Sequence, residues 1–223
     1  MDTVILLHGL YMTGAELVVL RHRLRRVHGF RTRIFRYRSM AAGLAENAER
    51  LQAFIAETEG ERVHLLGHSL GGVVLLRLLA SQPQVAPGRV VCLGSPLKGS
   101  SFARVFSRVP LGPQLVGRSM LEALDPVVGA DRWSGARDLG VIAGSVHVGM
   151  GALLGVVSSP GDGTVSVEET RLPGATDHLV LPVSHGSMLL SAEVADEAAG
   201  FFRSGRFPRR ASGTAPDVDN MAS

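Results

Sequence analysis

Ser69 lies in the run Gly67-His68-Ser69-Leu70-Gly71, with a glycine two positions before the serine and another two after it. A serine hydroxyl is a weak nucleophile at neutral pH. Chemistry there needs a base within hydrogen-bond reach and donors for the oxyanion that attack on a carbonyl creates. Alone, G-x-S-x-G is a weak signal in a chain with 27 glycines. Its setting is more specific. Val63-His64-Leu65-Leu66 reads as a buried strand and the chain from Leu70 reads as a helix, so the motif spans a strand–turn–helix junction. Such a sharp turn requires small residues at Gly67 and Gly71, because a side chain there would meet the neighbouring strand or helix. The turn lifts the hydroxyl above the sheet edge, and the amides at the helix N-terminus point toward the reacting centre.

The elements that would hold this turn alternate. Strands are expected at residues 3–7, 31–37, 62–66, 89–93, 139–143 and 178–183. Helices are expected at 15–27, where Leu17, Leu20, Leu24 and Val27 share a face, and at 41–59, where Leu44, Ala48, Leu51 and Ile55 do, with Gly60 as the stop. The helix over 70–80 is apolar on almost every side and should be central and buried. A last helix over about 188–202 should turn Leu190, Val194 and Phe201 inward. Strands alternating with helices imply an α/β fold with a mostly parallel sheet covered on both faces. One stretch interrupts the pattern. Between the fourth and fifth strands, about residues 96–137, Phe102, Val105, Phe106 and Val109 follow helical spacing, ended by Pro110 and Gly112. A second candidate helix holds Leu115, Met120, Leu121 and Leu124. One crossover helix is required there, and the excess is a candidate cap or lid. Residues 1–203 read as a single domain. From Ser204 to Ser223 the chain has no periodicity and reads as a disordered tail.

The run Gly67 to Gly72 resembles the nucleophile turn of α/β-hydrolases, in particular the lipase-like serine esterases. Other segments agree in order: Leu7-His8-Gly9-Leu10 resembles the family's oxyanion loop, Gly94-Ser95-Pro96-Leu97-Lys98-Gly99-Ser100 a stretch after its fourth strand here, Gly161-Asp162-Gly163-Thr164-Val165 the acid loop, and Ser184-His185-Gly186 the histidine loop. The resemblance covers roughly residues 3–202. It implies a trimmed, six-stranded α/β-hydrolase sheet, since the chain starts at what would be the third of eight strands. It also implies Ser69 as nucleophile, His185 as base and Asp162 as the acid that orients it, with the amides of Leu10 and Leu70 as the oxyanion hole. Tyr11, Phe102, Phe106 and Leu111 are the expected apolar walls for a substrate.

Rival residues fall in poorer places. Asp177 precedes the last strand and Asp138 begins the fifth at its wrong end, while Asp162 by default is a turn-former. His178 belongs at the far edge. His147 follows the fifth strand on the correct side and competes with His185. His8 and His68 read as braces for the two turns. The eight histidines form no metal-ligand spacing and no G-x-G-x-x-G loop follows the first strand, so no metal and no cofactor are expected. Cys92, the one cysteine, excludes an internal disulfide and reads as a small buried hydrophobe.

Composition bounds the remaining options. Hydrophobic residues make up 45% of the 223, enough for a full core, and charged residues only 19%. No apolar run approaches the roughly 20 residues that span a bilayer. The formal net charge is +3, and Lys98 is the only lysine. Arg21, Arg23, Arg25, Arg26, Arg31, Arg33, Arg36 and Arg38 lie close together. They read as a solvated face or as a peripheral contact for an anionic lipid surface. Beyond Phe35 and Tyr37 no aromatic residue interleaves regularly with them, which does not make a stacking platform for single strands, so no nucleic-acid partner is expected. Met1 runs straight into the first strand without a signal-peptide pattern, so the expected compartment is the cytoplasm. The expected activity is hydrolysis of a carboxylic ester, acyl-chain or lipid-like. A thioesterase, amidase or lactonase with the same residues, and a non-catalytic lipid-binding or interaction module on the same scaffold, stand as alternatives. Oligomeric state is not legible.

Overall fold

The computed structural model describes residues 1–82, 87–124, 133, 135 and 137–209 of the chain. Its centre is one sheet of six strands: β1 (Thr3–Leu7), β2 (Arg31–Phe35), β3 (Val63–His68), β4 (Val90–Leu93), β5 (Leu139–Gly144) and β6 (Asp177–Leu181). The order across the sheet is β2-β1-β3-β4-β5-β6 and every neighbouring pair is parallel. The trimmed six-stranded sheet read from the sequence is therefore present.

The central strands are apolar at almost every position because both sheet faces are covered. Period-two alternation divides them. Ile5, Leu7, Val63, Leu65, Val90, Cys92, Leu139 and Val141 point to one side. There they meet α2 (Leu44–Ala56) and α3 (Leu70–Ser81) through Leu44, Ala48, Leu51, Ile55 and nearly all of α3. Val4, Leu6, Leu66, Val91, Leu93 and Ile142 point to the other. There they meet α1 (Val18–Arg26) and α9 (Ala192–Ser204) through Leu20, Leu24, Val194, Phe201 and Phe202. The α1–α9 contact is pinned by charge. The Arg23 guanidinium grips Asp196 at 2.6 and 2.8 Å, and His28 Nε2 meets the same carboxylate at 2.7 Å. These bonds, Arg23 first, hold the Asp196 carboxyl down to about 2.

The segment after β4 forms α4 (Ser101–Phe106), α5 (Gly112–Val116) and α6 (Arg118–Leu121), and α7 (Met150–Leu153) and α8 (Val167–Thr170) follow β5. Helix α6 is locked to α2 and the turn before it. Ser119 Oγ donates to the Ala42 carbonyl at 2.6 Å and accepts from Asn47 Nδ2 at 2.9 Å, and Glu122 accepts the Leu44 amide at 2.7 Å.

Several local expectations are corrected. Val27 closes no helix face and is exposed. Helix α2 starts at Leu44 rather than Ala41, because Met40 to Gly43 turn under α6. Helix α4 stops at Phe106 and buries Ala103, leaving Val105 and Val109 partly in solvent. Gly112 opens α5 instead of ending α4, with Pro113 in the first turn where a missing amide costs nothing. The second candidate helix breaks at Gly117 (φ +77°), where a Cβ would press on Met40. Met120 is buried and Leu121 and Leu124 pack on the core as expected, while the side chain of Leu115 lies outside the described residues. Leu190 points to solvent, because the helix restarts after it at the Ser191 cap. The packed chain runs past Ser204 to Phe207, which is buried against Phe201. Residues 210–223, the remainder of the expected tail, lie outside the described residues, as do 125–132 of the expected cap.

Candidate active site

The parallel register brings the ends of five strands to one edge. Leu7 of β1 stands opposite Gly67 of β3, Gly67 opposite Cys92 of β4, and Gly144 of β5 opposite Leu181 of β6. The turns carrying Gly9, Ser69, Asp162 and His185 leave the sheet along this edge.

Ser69 links β3 directly to α3 and is 6% exposed. Its backbone sits at φ +53°, ψ −121°, a region that L residues avoid at a cost of about 1–3 kcal/mol. The surroundings enforce it: the Ser69 amide donates to Leu93 O of β4 at 2.8 Å, and the Gly72 amide closes the turn on Ser69 O. Both flanking glycines are obligatory as read from the sequence. A Cβ on Gly67 would run into the backbone of Gly71 and Gly72, and one on Gly71 would lie 2.7 Å from Leu7 O. Leu70 is the first residue of α3, so its amide belongs to the helical turn that has no intrahelical acceptor. Gly9 packs against the same turn, its Cβ position 3.2 Å from Ser69 Cβ, which places the Leu10 amide on the adjoining loop.

Asp162 and His185 are brought together across two loops. His185 Nδ1 is 2.7 Å from Asp162 Oδ2, and the His185 amide donates to Asp162 O at 2.9 Å. A carboxylate only accepts, so Nδ1 carries a proton, and in the neutral ring Nε2 keeps the lone pair. The other carboxylate oxygen accepts the amides of Thr164 and Val165 at 2.9 and 2.7 Å. The carboxylate is thus buried, 1% exposed, with three donors fixing its plane. Gly94 and Gly144 allow the close fit, since a Cβ on either would press on the Asp162 side chain.

The neighbouring histidines are neutral braces. His68 Nε2–H donates to the His185 carbonyl at 3.1 Å, and the rings are 4.7 Å apart. Burial, with the neighbouring His185 second, holds the His68 pKa well below its usual value. His8 donates Nδ1–H to Gly9 O at 2.9 Å and stacks on Tyr37, whose hydroxyl donates to His8 O at 2.7 Å. The Tyr37 role carries no sequence signal beyond an aromatic residue after a strand. Asp138 and Asp177 sit at the opposite edge, tied to Arg89 and Arg209. His178 is there too, donating to Thr170 Oγ1 at 3.0 Å, while His147 Nδ1 is buried without a hydrogen-bond partner among the described residues.

Of the expected apolar walls, Tyr11 (φ +60°) and Leu111 (φ +61°) are mostly exposed, and Phe102 and Phe106 stack at 4.4 Å with Phe106 against the core. A cavity of about 640 Å³ lies away from Ser69, beside α1 and β2, lined by Arg21, Arg25, Arg26, Arg31 and Arg33. Among the described residues no group of three or more His, Cys, Asp or Glu could hold a metal ion, and no helix is long and apolar enough to cross a membrane.

The chain is similar in fold to several solved structures. The mature form of the Bacillus licheniformis lipase BlEst2 superposes with a TM-score of 0.68 at 17% identity, covering 92% of each chain. The metagenomic carboxyl esterase MGS0156 gives 0.64 at 21% identity over 83% of this chain and 64% of that one. A pyrethroid hydrolase from Sphingobium faniae JZ-2 gives 0.58 at 16% identity over 91% and 98%. At such identities the likeness establishes the fold. No curated protein matches the chain. The alpha/beta hydrolase family matches residues 4–213, nearly the full length, and with the parallel sheet and the Ser69 turn in place the chain belongs to that family.

Proposed function

We propose that the protein is a serine hydrolase that cleaves carboxylic esters of small, acyl-chain or lipid-like molecules through an acyl-enzyme on Ser69. The observation that carries this reading is the 2.7 Å His185–Asp162 bond on the same sheet edge as a serine held at φ +53°. In this mechanism Ser69 Oγ attacks the ester carbonyl while His185 Nε2 takes its proton. Asp162 fixes the tautomer and stabilises the imidazolium. The Leu10 and Leu70 amides receive the oxyanion, each such donor contributing about 10²–10³ in rate. His185 returns the proton to the leaving alcohol, and water, activated by the same nitrogen, then releases the acid. No cofactor enters any step.

The apolar side chains around this edge favour an acyl chain. Tyr11 after β1, Val105, Val109 and Leu111 after β4, Val148 and Leu153 after β5, and Leu190 after β6 are all exposed. In this reading Tyr11, Phe102, Phe106 and Leu111 wall the acyl site, and the exposed turn between α4 and α5, with Val109 and Leu111, is the candidate lid, because Ala103 of α4 and Val116 of α5 sit in the core and α6 is locked to α2. Hydrolysis of p-nitrophenyl esters from acetate to palmitate tests the reading. It predicts turnover of a medium or long chain, lost in Ser69→Ala. Turnover of the matching thioester or amide alone would move the substrate class, and no turnover of any of them by folded protein would refute the enzymatic reading.

The arginine-lined cavity beside α1 supports a peripheral contact with anionic lipid. Glu57 and Glu59 share the lining, Arg31 pairs with Glu59 at 3.7 Å and Arg33 is committed to Phe54 and Thr58, so the cations left over are Arg25 and Arg26, which have no ion pair among the described residues. Sedimentation should show more protein on anionic than on neutral vesicles, and equal amounts on both would exclude the contact.

A further inference from the structure

At the edge of the sheet opposite Ser69, where β3, β4 and β5 begin, a cavity of about 230 Å³ is lined by Arg62, His64, Pro87, Gly88, Arg89, Arg137 and Asp138. Arg137 is 7% exposed, and none of its three guanidinium nitrogens has a hydrogen-bond partner among the described residues. Its backbone is well held. The Arg137 carbonyl accepts from Trp133 Nε1 at 3.1 Å, and the next residue but one enters β5. A buried cation with every donor unsatisfied costs several kcal/mol, far more than a surface arginine. Burial lowers its pKa to about 10, which still leaves it charged at neutral pH.

The charges facing it are not balanced. Asp138 is taken by Arg89 Nε at 2.8 Å, and Arg89 Nη1 is spent on the carbonyls of Phe202 and Arg203. His64 is neutral: Nδ1 accepts the Arg89 amide at 3.0 Å, so the proton lies on Nε2, toward Asp2 at 3.3 Å. Arg62 has no ion pair among the described residues. Two guanidinium groups, Arg62 and Arg137, therefore line this cavity without an acid of their own. At about 30 Å³ per water the space holds a tetrahedral oxyanion and a few waters. Guanidinium forks match phosphate oxygens in pairs, and two of them match a dianion.

We propose that this cavity is an anion site centred on Arg137 that takes a phosphate dianion, free or carried as a phosphomonoester. The site is separate from Ser69 and does not depend on the esterase reading. Thermal unfolding of the full chain, followed at constant ionic strength with chloride as the balancing salt, tests it. Inorganic phosphate at about 100 times its dissociation constant should raise the unfolding midpoint by about 5–10 °C, and the rise should grow with the logarithm of its concentration. Arg137→Met should abolish that rise and, by removing an unpaired buried charge, raise the midpoint in the absence of phosphate. Glycerol 3-phosphate as a second ligand distinguishes the sources, a larger rise assigning the monoester and a smaller one the free ion. Arg62→Ala, at an exposed position where folding is not at stake, should weaken the phosphate effect at least fivefold in apparent affinity. A phosphate response no greater than that to chloride, or one retained in both variants, would overturn the proposal.

Discussion

The Asp162 carboxylate receives three hydrogen bonds, and only the one from His185 Nδ1 bears on the proposed chemistry. Asp162→Asn would keep the shape but offer His185 an amide group able to select the wrong tautomer. The expected result is a loss of about 10⁴ in kcat, read by steady-state ester kinetics, in a folded protein. His68 is a positioning residue one step out. His68→Leu removes the N–H that holds the His185 carbonyl, and kcat should fall about 10–100-fold with KM little changed. A larger effect on KM than on kcat would show that His68 acts elsewhere. Ser69 was legible in the sequence because its signature is local: the glycines, the serine and the strand-to-helix change lie within ten residues. The His185–Asp162 contact was legible only through resemblance, since nothing in the spacing of two loops 23 residues apart requires their side chains to meet. The Tyr37–His8 brace had no signal, because one aromatic residue in a strand end looks like core.

At the scale of elements, the strands and long helices were legible because their apolar periodicity is strong. For the short helices after β4 the presence was legible but the bounds were not, because local turns overrode the pattern. Gly117 yields to Met40, and Leu111 at positive φ separates α4 from α5. What anchors that segment is polar. Ser119→Ala would take away one of the two acceptors of the Asn47 amide, leaving it only the Arg38 carbonyl at 3.3 Å, and would leave the Ala42 carbonyl without the hydroxyl donor, both at buried positions. The expected cost is about 1–3 kcal/mol in urea unfolding, with ester KM raised if α6 steadies the acyl wall. Gly71→Ala, by contrast, drives a methyl into the Leu7 carbonyl at the heart of the turn, and it should lower both stability and activity together.

Across the whole molecule, His8, His64, His68 and His178 all have lowered pKa values, with burial as the first cause and His178 at about 4. Each is bound as a neutral ring, so the unfolded chain takes up protons that the folded one refuses. Stability should therefore be highest above the ordinary histidine pKa near 6.5 and fall as pH drops from there toward 4. Urea midpoints at pH 7 and pH 5 would show it, and His178→Gln should flatten part of the slope. A flat profile would contradict the neutral assignments. The arrangement of a sheet between two helical layers was predictable as a class, but not which strand residues face which layer. Strands apolar at every position conceal their own orientation until a register is fixed. The order of the chain just past Ser204 was likewise not legible, since Phe207 packs on Phe201 without any periodicity to announce it.

The central claim is that Ser69 is a nucleophile activated by His185. Its most direct test is the intact mass of the protein after exposure to an alkyl fluorophosphonate, with the adduct located by peptide mapping. The account predicts one adduct, on the peptide containing Ser69, absent in Ser69→Ala and strongly slowed in His185→Ala. A folded protein that acquires no adduct, or one that acquires it equally in Ser69→Ala, would contradict it.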